Sequence, residues 1–143
     1  MGILSGLFSG SESHGPLPPD SYANARLQEV TDQLKALMAE TSDRLEVVPS
    51  EHAAYVFIGK PPKKFGLAWI HDGRTSNFKT LVEDHGVNPI RLERIIEHLR
   101  EAYHRSRSTE RFTFNIADRE IIVTPSEVLE KEVHDVIDEV IRK

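Results

Sequence analysis

Seven histidines and no cysteine define what chemistry this chain can carry. Without a thiolate there is no cysteine nucleophile and no disulfide framework, so any metal would rest on His, Asp and Glu side chains. Three groupings have metal-ligand spacing. His71 and Asp72 are adjacent; Glu101 and His104 stand three apart, the spacing by which one helix supplies two ligands to a carboxylate-bridged metal pair; and His134 has Glu130 and Asp138 four residues to either side. At about 100° per residue, Glu97, Glu101 and His104 lie opposite Leu92 and Leu99 and so face solvent. The Glu130/His134/Asp138 set falls on an outward face by the same count, and no second Glu-x-x-His motif accompanies the first.

Other catalytic signatures are missing. Gly59-Lys60 lacks the preceding glycine of a phosphate-cradling loop and is followed by proline, and neither a G-x-S-x-G elbow nor a G-x-G-x-x-G fingerprint occurs. His71-Asp72 resembles the central dipeptide of metal-dependent phosphohydrolases. Those enzymes complete the site with further histidines and an aspartate on neighbouring helices, whereas this pair follows a strand and enters a glycine turn, where an aspartate side chain serves the turn. A metal-dependent hydrolase is therefore the lowest-ranked reading, and no catalytic residue, cofactor or metal is expected.

The residues that stand out as contact surface are basic and aromatic. Lys60, Lys63 and Lys64 surround Pro61-Pro62, which cannot donate to a sheet ladder, so the chain must leave the sheet there and expose its lysines. That serves either to discourage edge pairing or to meet an anionic partner. Phe65 and Trp69 follow on the same segment, although Trp69 is better suited to the core than to the surface. A second candidate is the amino-terminal stripe Ile3, Leu4, Leu7 and Phe8, spaced as one amphipathic turn that could dock on a partner or a membrane surface.

These positions sit in a chain of 143 residues, the size of one domain, with net charge −5 and pI near 5.8. An acidic chain repels phosphate backbones, so nucleic acid is not the expected partner. No run approaches the ~18 apolar residues of a membrane-spanning helix, and the opening MGILSGLFSG has neither the basic region of a secretory signal nor the myristoylation pattern. Together with the absence of cysteine, this makes the cytoplasm the expected compartment.

Residues 1–19 read as a Gly/Ser/Pro-rich tail and linker, and residues 20–143 as a single α+β domain. A helix is expected from Asp20 or Ser21 to Arg44, with Ala23, Leu27, Val30, Leu34, Leu37 and Thr41 on one seam that packs on the sheet or on a second copy. Residues 45–48 read as a short strand. A hairpin over residues 53–73 follows, apolar on both alternating sets, as for strands covered on both faces. Residues 76–85 read as a helix ended by Gly86. Asn88-Pro89 opens the next helix, to about Arg105, with Val87 stapling onto Leu92. A second hairpin spans residues 112–123. The last helix is expected to be capped by Thr124, with Pro125 at its first position and Glu127 closing a capping box.

The sum is a central antiparallel sheet of about five strands with helices packed on it, in the order α-β-β-β-α(α)-β-β-α. That order, with the small size and acidic charge, is similar to the fold of the type III secretion chaperones and their relatives. The resemblance covers most of residues 20–143, and it implies a dimeric protein that binds an extended segment of a client. The leading expectation is accordingly a non-enzymatic protein-interaction module, a small chaperone or adaptor with a protein partner, which would add a partner strand to a sheet edge.

The alternative is a winged-helix DNA-binding protein. Leu81 to Pro89, followed by Leu92 and Ile96, has the pattern of a helix-turn-helix within residues 76–105, and the hairpin at 111–123 would form the wing. Against it, Glu93, Glu97 and Glu101 accompany Arg91, Arg94 and Arg100 on the would-be recognition helix.

Overall fold

The structure is a computed structural model, and it describes residues 14–51, 53–61 and 63–141. The candidate stripe Ile3, Leu4, Leu7 and Phe8 lies outside the described residues. In chain order the elements are α1 (Tyr22–Glu29), α2 (Thr31–Glu40), β1 (Leu45–Pro49), β2 (Ala54–Lys60), β3 (Lys64–His71), β4 (Arg74–Asn77), α3 (Phe78–His85), α4 (Pro89–Arg105), β5 (Phe112–Ile116), β6 (Arg119–Val123) and α5 (Glu127–Ile141). The class is α+β, as expected.

Two details of the sheet differ from expectation. Among the described residues it has six strands, in the order β4-β3-β2-β1-β6-β5, and it is mixed. Strands β1 to β4 form an antiparallel meander and β5–β6 an antiparallel hairpin, but β6 runs parallel to β1 through Glu46↔Ile122 and Val47↔Val123. The additional strand is β4. Residues 74–77 were expected to lead into helix, but Asp72 (φ 51°) and Gly73 (φ 73°) both adopt left-handed backbone, the signature of a type I′ hairpin turn, and return the chain along β3. Asn77 then ends the strand and caps α3, accepting from Thr80 N in a capping box.

The helix expected over residues 20–44 is two helices and stops at Glu40. At Val30 the backbone departs from helical values, and the Leu27 carbonyl accepts from both Val30 N at 3.1 Å and the Thr31 hydroxyl at 2.9 Å. Thr41 is extended, and Arg119 of β6 donates to the carbonyls of Met38 (2.9 Å) and Thr41 (2.7 Å), closing the carboxyl end of α2. Ala23, Leu27, Leu34 and Leu37 are buried, as their spacing requires; Val30 and Thr41 are half-buried because the seam breaks there.

The sheet is covered on both faces, which explains why both alternating sets of β2 and β3 are apolar. Tyr55, Phe57, Leu67 and Trp69 share one core with Leu81, Val87, Ile95, Leu99, Tyr103, Leu129, Val133 and Ile137 of the later helical segments. Ala54, Val56, Ala68 and Ile70 share the other with Leu27, Leu34, Val47, Ile121 and Val123. The start of α4 is as expected, with Asn88 accepting from Arg91 N at 2.8 Å and Pro89 at the first position. The start of α5 is not. Its cap is Ser126, which accepts from Leu129 N at 3.1 Å, because Thr124 donates its hydroxyl to Glu46 instead.

Candidate functional site

The β2–β3 hairpin separates the candidates read from the sequence into two groups. Lys60 pairs with Lys64 across the turn end, and Lys60, Lys63 and Lys64 are all exposed. Helix α4 holds this end down. Arg100 donates to the Lys63 carbonyl at 3.0 Å and stacks over the half-buried Phe65, 5.8 Å from the ring centre. Trp69 is at the other end of β3, opposite Tyr55, and only 3% exposed. So the lysines and Phe65 form one local surface, while Trp69 is a core residue beneath α5.

The sheet's two edges differ. Strand β4 is short and polar, Arg-Thr-Ser-Asn. Strand β5 carries an additional segment: Pro16 forms a parallel bridge with Thr113. The Thr113 amide donates to the Gly15 carbonyl at 2.9 Å, and the Thr113 carbonyl accepts from Leu17 N, also at 2.9 Å. Leu17 is buried in the core shared with the half-buried Phe112 and Phe114. In a parallel ladder every second residue of the added strand faces its neighbour, so Pro16 and Pro18 turn the positions lacking an N–H outward. The next residue in phase is Pro19, which has no N–H to offer the Asn115 carbonyl. At that point the chain turns, with Ser21 N bonded to the Pro18 carbonyl at 3.2 Å, and enters α1. Sequence reading treated residues 14–17 as linker; the signal that could have placed them is one leucine between prolines, which is too short to show a period.

A buried ionic network ties β1 to the segment leading into β5. Glu46 is fully buried, yet four groups satisfy its carboxylate: Arg44 (2.9 Å) and Tyr103 (2.6 Å) at Oε1, Arg111 (2.9 Å) and Thr124 (2.5 Å) at Oε2. Burial alone would raise its pKa, but Arg111, the hydroxyls of Thr124 and Tyr103, and Arg44 outweigh this and hold it below the usual carboxylate value. The same burial, with the carboxylate beside it, pushes the Tyr103 phenol up to about 12. Arg111 donates its remaining bonds to Ser106 and Thr109 and lies over the Tyr103 ring. With its polar atoms so matched, the network leaves no group facing a ligand and is structural.

The other ionisable groupings are placed as follows. Glu97, Glu101 and His104 are exposed, on the outer face of α4, where Glu97 pairs with Arg100 at 2.6 Å. His71 Nδ1 and Asp72 Oδ2 are 3.3 Å apart at the exposed β3–β4 turn. Among the described residues no three His, Asp or Glu side chains are grouped to hold a metal ion. His134, whose face was read as outward, accepts from or donates to the Tyr55 hydroxyl at 2.9 Å and borders a groove. The Ser50 hydroxyl donates to Glu130 at 2.6 Å, a carboxylate rather than an imidazole, so it is not primed as a nucleophile.

In the segment with the helix-turn-helix pattern, α3 ends at Gly86 (φ 64°) and α4 follows from Pro89, with Leu81 and Val87 buried. The hairpin that would be its wing is instead built into the sheet, with β6 against β1. Helix α4 is committed to the core through Ile95, Leu99, Ala102 and Tyr103.

What the fold and these surfaces define is a three-layered α+β protein with a mixed six-stranded sheet, one of whose edges is occupied by the chain's own extended segment. Comparison with protein-family models, with curated proteins and with solved structures gave no match. No helix among the described residues is long and apolar enough to cross a membrane.

Proposed function

We propose that the protein is a non-enzymatic interaction module that takes up an extended segment of a partner protein at the edge of its sheet, along β5. The observation that carries this reading is the pairing of Thr113 with residues 15–17. There the edge already accepts an extended segment, by two backbone bonds and one seated leucine. Backbone pairing supplies affinity without regard to sequence, and the apolar seat beneath supplies selectivity. The resident segment is a weak strand, since Pro19 ends its ladder after Leu17, and a partner without that proline would pair further along β5. A cysteine-free acidic chain suits such a role in the cytoplasm.

Replacing Thr113 by proline removes the edge donor at a position where a sheet tolerates proline. Crosslinking followed by mass spectrometry should find polypeptide joined to β5 in the wild-type chain and lost in Thr113→Pro. Undiminished crosslinking in the variant, or none in the wild type, would refute the proposal.

A further inference from the structure

Thr113 turns its amide and carbonyl to the outer edge of β5, where the Gly15 carbonyl and the Leu17 amide take both. By the alternation of a strand, Asn115 turns its own pair the same way, and among the described residues neither group is bonded to the amino-terminal segment. Within residues 14–20 only Leu17 is buried, at 7% exposed, while Gly15, Pro16, Pro18 and Pro19 face solvent. A Cβ placed on Gly15 would have no heavy atom within 4 Å. The edge therefore grips this segment by two backbone bonds and one side chain.

So small a grip holds because the segment is tethered. Pro18 to Ser21 join it directly to α1, with Ser21 N bonded to the Pro18 carbonyl and the Asn24 side chain donating to the Pro19 carbonyl. A tether this short keeps the local concentration of the segment on the order of millimolar or above. A free segment without the prolines has what the resident lacks. It brings an N–H for the Asn115 carbonyl and a continuing strand whose own carbonyl meets the Asn115 amide, and these further bonds are what it can set against the tether.

Taking β5 as the partner edge, the reading on which this rests, we infer that residues 15–17 are an internal competitor for that edge, and that the segment displacing them runs parallel to β5 with a leucine-sized aliphatic side chain in the seat of Leu17. Selection falls on that one residue, because the positions of Gly15, Pro16 and Pro18 face solvent and admit other side chains. The edge stays covered until a segment of this kind arrives, which also guards an open strand against indiscriminate pairing.

The probe is a fluorescein-labelled peptide amide, glycyl-threonyl-leucyl-threonyl-threonine, which keeps the residues at positions 15 and 17 and replaces the three prolines. A second peptide carries serine in place of leucine. Each is titrated by fluorescence anisotropy into the full-length protein and into full-length Leu17→Asp, in which the resident segment is unseated. The leucine peptide should bind Leu17→Asp at least about tenfold more tightly than it binds the wild type, and at least about tenfold more tightly than the serine peptide does. Adding Thr113→Pro to Leu17→Asp should abolish the binding. Equal affinity of the leucine peptide for wild type and Leu17→Asp, still abolished by Thr113→Pro, would overturn the competitor and leave β5 standing as the partner edge. Equal affinity of the two peptides for Leu17→Asp would overturn the leucine seat, and binding to neither protein would overturn both the competitor and the partner edge. Leu17→Ser, a smaller change, carries the same comparison if Leu17→Asp does not fold.

Discussion

Tyr103, on α4, donates its phenolic hydrogen to Oε1 of Glu46 at 2.6 Å, on a carboxylate with no exposed surface. A buried anion is tolerated only when its partners are complete, and removing one partner from such a set leaves an uncompensated charge. Glu46→Gln should therefore destabilise the fold by about 3 kcal/mol, because Arg111 is left without its counter-charge. In a double-mutant cycle, Glu46→Gln with Arg111→Met should give a coupling of at least ~1 kcal/mol by urea denaturation. Additive effects would show that the pair does not act as a unit.

The same pair bounds the pH range of stability. Glu46 has its pKa lowered in the fold, so its contribution is complete above the ordinary carboxylate pKa and is lost as pH falls through the lower folded value. Tyr103 is raised to about 12, so its contribution is complete below the ordinary phenol pKa near 10 and is lost as pH rises through about 12. Thermal melts should thus show stability falling on both limbs, and Tyr103→Phe should flatten the alkaline one.

At the β5–β6 turn, Ala117 (φ 50°) and Asp118 (φ 65°) both hold left-handed backbone without glycine at either position. An alanine there carries the steric cost of its Cβ. Ala117→Gly should relieve it and raise stability by about 1 kcal/mol, or ~3 °C in Tm. An unchanged or lowered Tm would count against strain at this turn.

Gly59 presents the opposite case. Its φ is 112°, and a Cβ would meet the Lys64 carbonyl oxygen at 2.8 Å, a backbone atom that cannot rotate away. Gly59→Ala should cost at least ~2 kcal/mol in chemical denaturation. A loss below ~0.5 kcal/mol would mean that the turn end of the hairpin yields.

Much of this architecture was legible because burial imposes a period. The doubly apolar strands β2 and β3 declared a sheet covered on both faces, and Asn88-Pro89 declared the start of α4 through capping chemistry alone. What was not legible depends on partners distant in sequence. Thr124 has every local mark of a helix cap, yet Glu46, 78 residues away, takes its hydroxyl and leaves the cap to Ser126. His134, Glu130 and Asp138 lie on a helix face that looks solvated by count, and only the placement of β2 and β3 turns that face into the wall of a groove. Trp69 is core, as its apolar strand predicts, whereas Leu17, inconspicuous in a proline-rich linker, is seated.

The parallel contact of β1 with β6 has a mechanical meaning. It joins two units, each assembled from neighbours in sequence: a four-stranded meander and a hairpin. Closing local loops is quick and closing distant ones slow, so each unit can form before the two are brought together. The carboxylate of Glu46 sits at that join and reaches Arg111 and Thr124 on the hairpin side. It therefore fastens the meander to the hairpin, and protonating it as pH falls would weaken the contact between the two.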